Sequence, residues 1–152
     1  MTKTLMLYTS ITGNTEMMAK GLIDELNKQN IDHDIKLFDT YKVEAKDILN
    51  YDVIFIGVYT WAGGDVPLDT EDFYDDLYNM DLKGKVCGVF GSADTDYANY
   101  GTAVTMIYDQ LEKLGATMIP DQIISNLEPT PEDLERCSKM VKIAFEKVNK
   151  AG

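Results

Sequence analysis

With 152 residues, 45% of them hydrophobic, the chain is long enough to bury a sizeable core in one domain spanning residues 1–152. Against 14 basic side chains stand 26 acidic ones, a net charge of −12, which excludes nucleic acid and anionic membrane as partners because both demand a basic face. The same balance favours docking onto basic protein surfaces, unless the acids serve solubility alone.

Apolar runs and amphipathic stretches alternate from end to end. Residues 5–8 read as a first strand. A turn over residues 9–15 leads into a helix beginning at about Asn14, with Met18, Ala19, Leu22, Ile23 and Leu26 as its apolar stripe. Ile31, Ile35 and Leu37 alternate with polar residues, as on a half-exposed edge strand. Residues 53–58 are continuously apolar and predict a central strand covered on both faces. Phe73, Leu77 and Met80 mark an acidic helix, and residues 86–90 a second buried strand. Val104, Ile107, Tyr108, Leu111 and Leu114 define a further helix, with Gly115 as its stop. Residues 118–119 and 123–124 read as a last strand interrupted by Pro120. Thr130, Pro131, Glu132 and Asp133 give the start of a final helix: an N-cap, a proline in the first turn, then acids.

This is β-α repeated about five times. It predicts an α/β fold, a doubly wound five-stranded parallel sheet with helices on both faces. Ligands of such sheets bind beyond the carboxyl ends of the strands, at the switch point. Cys87 lies in an apolar run and Cys137 on an apolar helical stripe. Without a CxxC or metal-ligand spacing, both read as small buried hydrophobes, reduced in a cytoplasmic protein. The chain starts Met-Thr-Lys and passes at once into a strand, with no secretory leader and no run of 18 apolar residues. His33, the single histidine, has the parity of Ile31 and Ile35 and no ligand set beside it, so it reads as structural or solvated.

Three segments leave strand ends. The first holds Ser10, Ile11, Thr12, Gly13, Asn14 and Thr15, a hydroxyl-rich turn at the start of a helix. The first N–H groups of a helix lack intrahelical partners and the helix dipole favours an anion there, so the turn is suited to a phosphate. No Lys or Arg lies between Thr4 and Met18, so dipoles alone would neutralise the anion. The second segment, residues 59–65, carries Tyr59, Thr60, the single tryptophan Trp61, Ala62 and Gly63. Its neighbours are too hydrophilic for a core tryptophan, so Trp61 is expected to stack on a flat ring. The third, residues 91–101, is expected as a loop bearing Ser92, Ala93, Asp94, Tyr97, Asn99 and Gly101. One phosphate cradle and two aromatic plates describe a site for a flat heteroaromatic mononucleotide. Asp65, Asp69, Asp72, Asp94 and Asp96 are placed on its rim.

Over essentially its whole length the chain resembles the short-chain flavodoxins. Their phosphate motif, Ser/Thr-x-Thr-Gly-Asn-Thr, stands intact at residues 10–15. Their second-loop Thr-Trp stands at Thr60 and Trp61, and Gly-x-x-Asp-x-x-Tyr at Gly91, Asp94 and Tyr97. Ala62 and Ala93 replace residues that are often Gly, or Gly or Cys, in the family. The resemblance implies the family's strand order 2-1-3-4-5, which the pattern of elements does not itself supply. It also implies non-covalent FMN, with the ring between Trp61 and Tyr97 and its pyrimidine edge on backbone groups of residues 92–94. The implied activity is low-potential one-electron transfer between redox proteins by a monomer, with no catalytic residue of its own and no metal. A phosphoacceptor domain would need acids where Tyr8-Thr9-Ser10 stand, and a small phosphatase a Cys and Arg in the first turn. An NTP-binding loop would need Gly-Lys-Ser/Thr. The nearest rival is a flavin enzyme or activator of the same fold, such as a quinone reductase or a ribonucleotide-reductase activating flavoprotein.

Overall fold

Stretches that are apolar at consecutive positions form the middle of a parallel sheet, and the alternating stretch forms its edge. The computed structural model describes residues 2–40, 43–60, 65–96 and 99–151. Its strands are β1 (Thr4–Tyr8), β2 (Asp34–Leu37), β3 (Val53–Tyr59), β4 (Val86–Ala93), β5 (Thr117–Met118) and β6 (Ile123–Asn126). They are parallel and run in the order β2-β1-β3-β4-β5, with β6 also paired to β4. The fifth position of the sheet is thus shared by two short strands. β5 pairs with Val86 and Cys87, and β6 pairs with Phe90 through Ala93. The break contains Pro120, which has no N–H to give to a ladder.

Four helices cover the sheet: α1 (Asn14–Lys28), α2 (Glu71–Asp76), α3 (Thr102–Lys113) and α4 (Pro131–Ala151). Alternate residues of each central strand enter different cores. Met6 and Phe55 pack with Leu22 and Leu26 of α1 and Cys137, Met140 and Val141 of α4. Leu5, Leu7, Ile54 and Ile56 pack with Phe73 of α2 and Val104, Ile107 and Leu111 of α3. Coverage on both faces is why β1, β3 and β4 read as unbroken apolar runs. Each such fully buried side chain contributes roughly 1.5–3 kcal/mol. The predicted start of the last helix is present as a reciprocal box. Thr130 N–H donates to Asp133 Oδ2 at 3.0 Å, and Asp133 N–H to Thr130 Oγ1 at 3.1 Å.

Several expectations are corrected. The third loop starts later than residue 91, because Gly91, Ser92 and Ala93 continue β4 and are buried. The acidic helix is three short pieces: 3-10 turns at Leu68–Thr70 and Leu77–Asn79 flank α2. Asp75 and Asp76 stand at the end of α2, where the helix dipole disfavours anions, and no basic residue in the last turn offsets them, so charge does not support a longer helix. A 3-10 helix at Ala45–Asn50 has no counterpart in the expected elements. Ile31 precedes β2, and His33 makes a local contact, its Nδ1 2.9 Å from Ile31 O. Cys87 and Cys137 are buried free thiols, and burial pushes both up to about 12. Among the described residues no helix is long and apolar enough to cross a membrane.

Candidate functional site

Parallel register brings the strand ends together. Tyr8 lies beside Gly57, and Tyr59 beside Ser92, so the segments following β1, β3 and β4 share one end of the sheet. The first segment turns sharply into α1. Gly13, the N-cap residue, has φ +93°, and a Cβ there would meet nothing within 4 Å. Conformation rather than space therefore demands glycine. Gly13 N–H donates to Ser10 Oγ at 3.1 Å, and the first bond inside α1 runs from Met17 N–H to Gly13 O at 3.0 Å. No side chain caps the helix, which leaves the N–H groups of Asn14, Thr15 and Glu16 for a ligand. Ser10 and Asn14 are half-buried; Ile11 and Thr12 are exposed. Lys20, one turn further along α1, is 3.2 Å from Glu16. An uncapped helix start ringed by hydroxyl and amide donors fits a phosphate.

Thr15 behaves differently from its expected part. It is 0% exposed, and its Oγ1 lies 2.7 Å from Ser92 Oγ, where either hydroxyl can donate. Ser92 N–H also points to Thr15 Oγ1 at 3.4 Å. The Thr15 side chain therefore ties the start of α1 to the end of β4, and its N–H is what remains for an anion.

The second segment is anchored to the third. Thr60 N–H donates to Ser92 O at 3.1 Å, and Thr60 Oγ1 accepts from Ala103 N–H at 3.3 Å. Tyr59 ends β3 half-buried. Burial, then the nearby charges of Asp69 and Asp39, raises its hydroxyl to about 12, so it keeps its proton at neutral pH. Trp61, Ala62 and Gly63 lie outside the described residues, as does Tyr97.

In the third segment Ala93 is buried and Asp94 half-buried, and Asp94 Oδ1 accepts Asp96 N–H at 2.9 Å. Asn99 O accepts both Thr102 N–H and Thr102 Oγ1–H, and Gly101 caps α3 at φ +70°. Of the rim acids, Asp65, Asp69, Asp72 and Asp96 are exposed. Asp69 does more than solubilise. The buried Thr9 donates its hydroxyl proton to Asp69 Oδ2 at 2.6 Å, and Thr70 Oγ1 donates to Asp69 Oδ1 at 3.0 Å. Thr9 and Asn126, which accepts Thr95 N–H, are missing from the expected set. Each acts across 31 or 60 residues, and no local pattern signals such a pair.

The family model described as flavodoxin matches residues 6–140. A probable flavodoxin of Bacillus subtilis is 35% identical over 138 residues, 90% of this chain and 86% of that protein. A flavodoxin of Maridesulfovibrio salexigens is 37% identical over 138 residues, covering 88% and 92% respectively. The structure of oxidised flavodoxin 1 from Bacillus cereus superposes with a TM-score of 0.88 at 34% identity, over 95% of this chain and 97% of that one. An uncapped helix start at the switch point of a sheet ordered 2-1-3-4-5 agrees with these likenesses, and the chain belongs to the flavodoxin family.

Proposed function

We propose that the chain, as one domain over residues 1–152, carries single electrons on non-covalently bound FMN. The observation that carries this is the start of α1: free N–H groups, hydroxyl and amide donors, and a left-handed Gly13, at the switch point. Residues 10–15 hold the phosphate. Trp61 and Tyr97 flank the ring, Tyr59 and Thr60 lie beside it, and backbone groups of residues 92–94 meet its pyrimidine edge. When bound, FMN supplies the redox chemistry; the chain supplies binding, orientation and electrostatics, and converts no substrate of its own. Its partners are redox proteins with basic faces, which meet a monomer through Asp65, Asp69, Asp72, Asp94 and Asp96. Its compartment is cytoplasmic.

The test compares FMN with riboflavin. FMN binds far more tightly, and Thr12→Ala weakens FMN by roughly 1–3 kcal/mol while barely altering riboflavin, the range for a lost bond to a charged group. Equal losses for both flavins would remove the phosphate assignment.

A further inference from the structure

We infer that Asn126 is a positioning residue for the ring-binding residues that follow β4, which β6 and the residues after it hold at Ala93, Thr95, Tyr100 and Gly101. This rests on the FMN assignment above. Asn126 Oδ1 accepts Thr95 N–H at 3.2 Å, although both residues are exposed. The next residue, Leu127, donates its N–H to Ala93 O at 2.8 Å. Further along the segment, Tyr100 OH donates to Ile124 O at 3.3 Å. At its end, a Cβ on Gly101 would come within 2.6 Å of Ile124 Cδ1. The clamp therefore touches the segment at its start, middle and end.

Leu127 shows that this attachment is imposed on the chain. It sits at φ +59°, which L side chains rarely adopt, and it is 51% exposed. An exposed leucine has little packing to hold it there, whereas its bond to Ala93 does. β6 is in turn fixed to the phosphate helix, because buried Ser125 Oγ–H donates to Met18 Sδ of α1 at 2.9 Å. One short strand thus sets the ring-binding segment in a fixed frame with the phosphate turn. Beyond the break at Pro120 the fifth position resumes as β6, which pairs with the end of β4 as far as Ala93. Asp94 and Asp96 close a tight turn of their own, Asp96 N–H donating to Asp94 Oδ1, and the bond from Thr95 to Asn126 is what ties that turn to β6 before the flavin binds.

The test uses the full-length apoprotein and two variants, Asn126→Ala and Asn126→Asp, each checked for an unchanged thermal midpoint. In Asn126→Ala, Thr95 amide exchange accelerates about tenfold or more. FMN and riboflavin both weaken by the same factor, about 3- to 20-fold, because the ring side rather than the phosphate side is loosened. Asn126→Asp keeps an acceptor and restores Thr95 protection. Unchanged Thr95 exchange in Asn126→Ala overturns the clamp. So does wild-type binding of FMN with variant affinities within twofold of it, or a loss confined to FMN. Failure of the wild type to bind either flavin overturns the FMN assignment and this inference with it.

Discussion

The Thr15–Ser92 pair offers the sharpest test of how the phosphate turn is held. Both residues are enclosed, at 0% and 6% exposure, and their hydroxyl oxygens are 2.7 Å apart. Thr15→Val keeps the shape of the side chain and removes its hydroxyl, leaving Ser92 Oγ buried without that partner. Ser92→Ala takes the short hydroxyl partner from Thr15 Oγ1 and leaves it the 3.4 Å bond from the residue-92 N–H. Each single change should therefore cost about 1–3 kcal/mol, the penalty for a stranded buried polar group. Removing both hydroxyls leaves neither hydroxyl stranded and forfeits the long 3.4 Å bond from the residue-92 N–H, so the double variant should lose no more than about 1 kcal/mol. The coupling between the two sites, the two single losses less the double loss, is then at least about 1 kcal/mol. For a chain of this size a loss of 2 kcal/mol lowers the midpoint by about 4–8 °C. Urea unfolding of the four apoproteins with a common slope measures the cycle. Single effects that add to within about 0.5 kcal/mol would show that the hydroxyls act independently, and that the turn is not tied to β4 through them.

Two further outcomes follow from buried protons and exposed charge. Burial raises Cys87, Cys137, Tyr51 and Tyr59 to about 12, with a hydrogen bond from Tyr51 to Asp34 adding to the shift of Tyr51. Groups raised on folding contribute stability that is complete below their ordinary values, near 9 for the thiols and 10 for the phenols, and lost as pH climbs towards 12. Urea stability should accordingly fall from about pH 9 upward, less steeply in Tyr51→Phe, and a flat profile to pH 11 would contradict the burial. Association with a basic redox partner should slow steeply as salt rises, since steering charges are screened beyond about 8 Å at physiological ionic strength. Asp→Asn at Asp65, Asp72 and Asp96 together should flatten that dependence in stopped-flow measurements; an unaltered slope would make those acids merely solubilising.

Elements covered on both faces were legible because double burial erases alternation: residues 53–58 and 86–90 could only be central strands. The cap at Thr130 was legible because its partner Asp133 is three residues away. Gly91, Ser92 and Ala93 were not, because small residues in sequence look like a loop. Their smallness has another cause in the fold, where a Cβ on Gly91 would sit 1.7 Å from Val58 O. Ser92 is turned onto Thr15, 77 residues away. The same distance problem hid Thr9 and Asp69. The turn at residues 10–15 stood out because its donors are contiguous in sequence, whereas the supports beneath it come from β4, β6 and the 3-10 turn before α2. The sequence also placed Thr15 among the phosphate donors by type, and only packing could reveal that its hydroxyl faces inward.

The chain carries −12 and has no lysine or arginine between Thr4 and Met18, so a charge close to the turn should bear on how tightly it holds a phosphate. One such charge is Glu16, in the first turn of α1, with Lys20 3.2 Å from it. Its side chain is 42% exposed and that of Lys20 66%, so the ion pair itself is worth at most about 0.5 kcal/mol. In the flavin-free protein Glu16 favours the helix by facing its positive end. Once a dianionic phosphate occupies that end, the same carboxylate repels it. At about 8 Å in a water-like dielectric the repulsion is about 1 kcal/mol, reduced to roughly 0.4 by physiological salt. Glu16→Gln should therefore tighten FMN by about two- to sixfold, most at low ionic strength, and leave riboflavin unchanged. Helix and turn survive the change, because glutamine matches the propensity of glutamate and Gly13 N–H keeps Ser10 as its partner. Titration of both flavins at low and physiological salt decides the matter. A gain shared by riboflavin, or one indifferent to salt, would mean that Glu16 acts through the shape of the turn and that its charge is not what the phosphate meets.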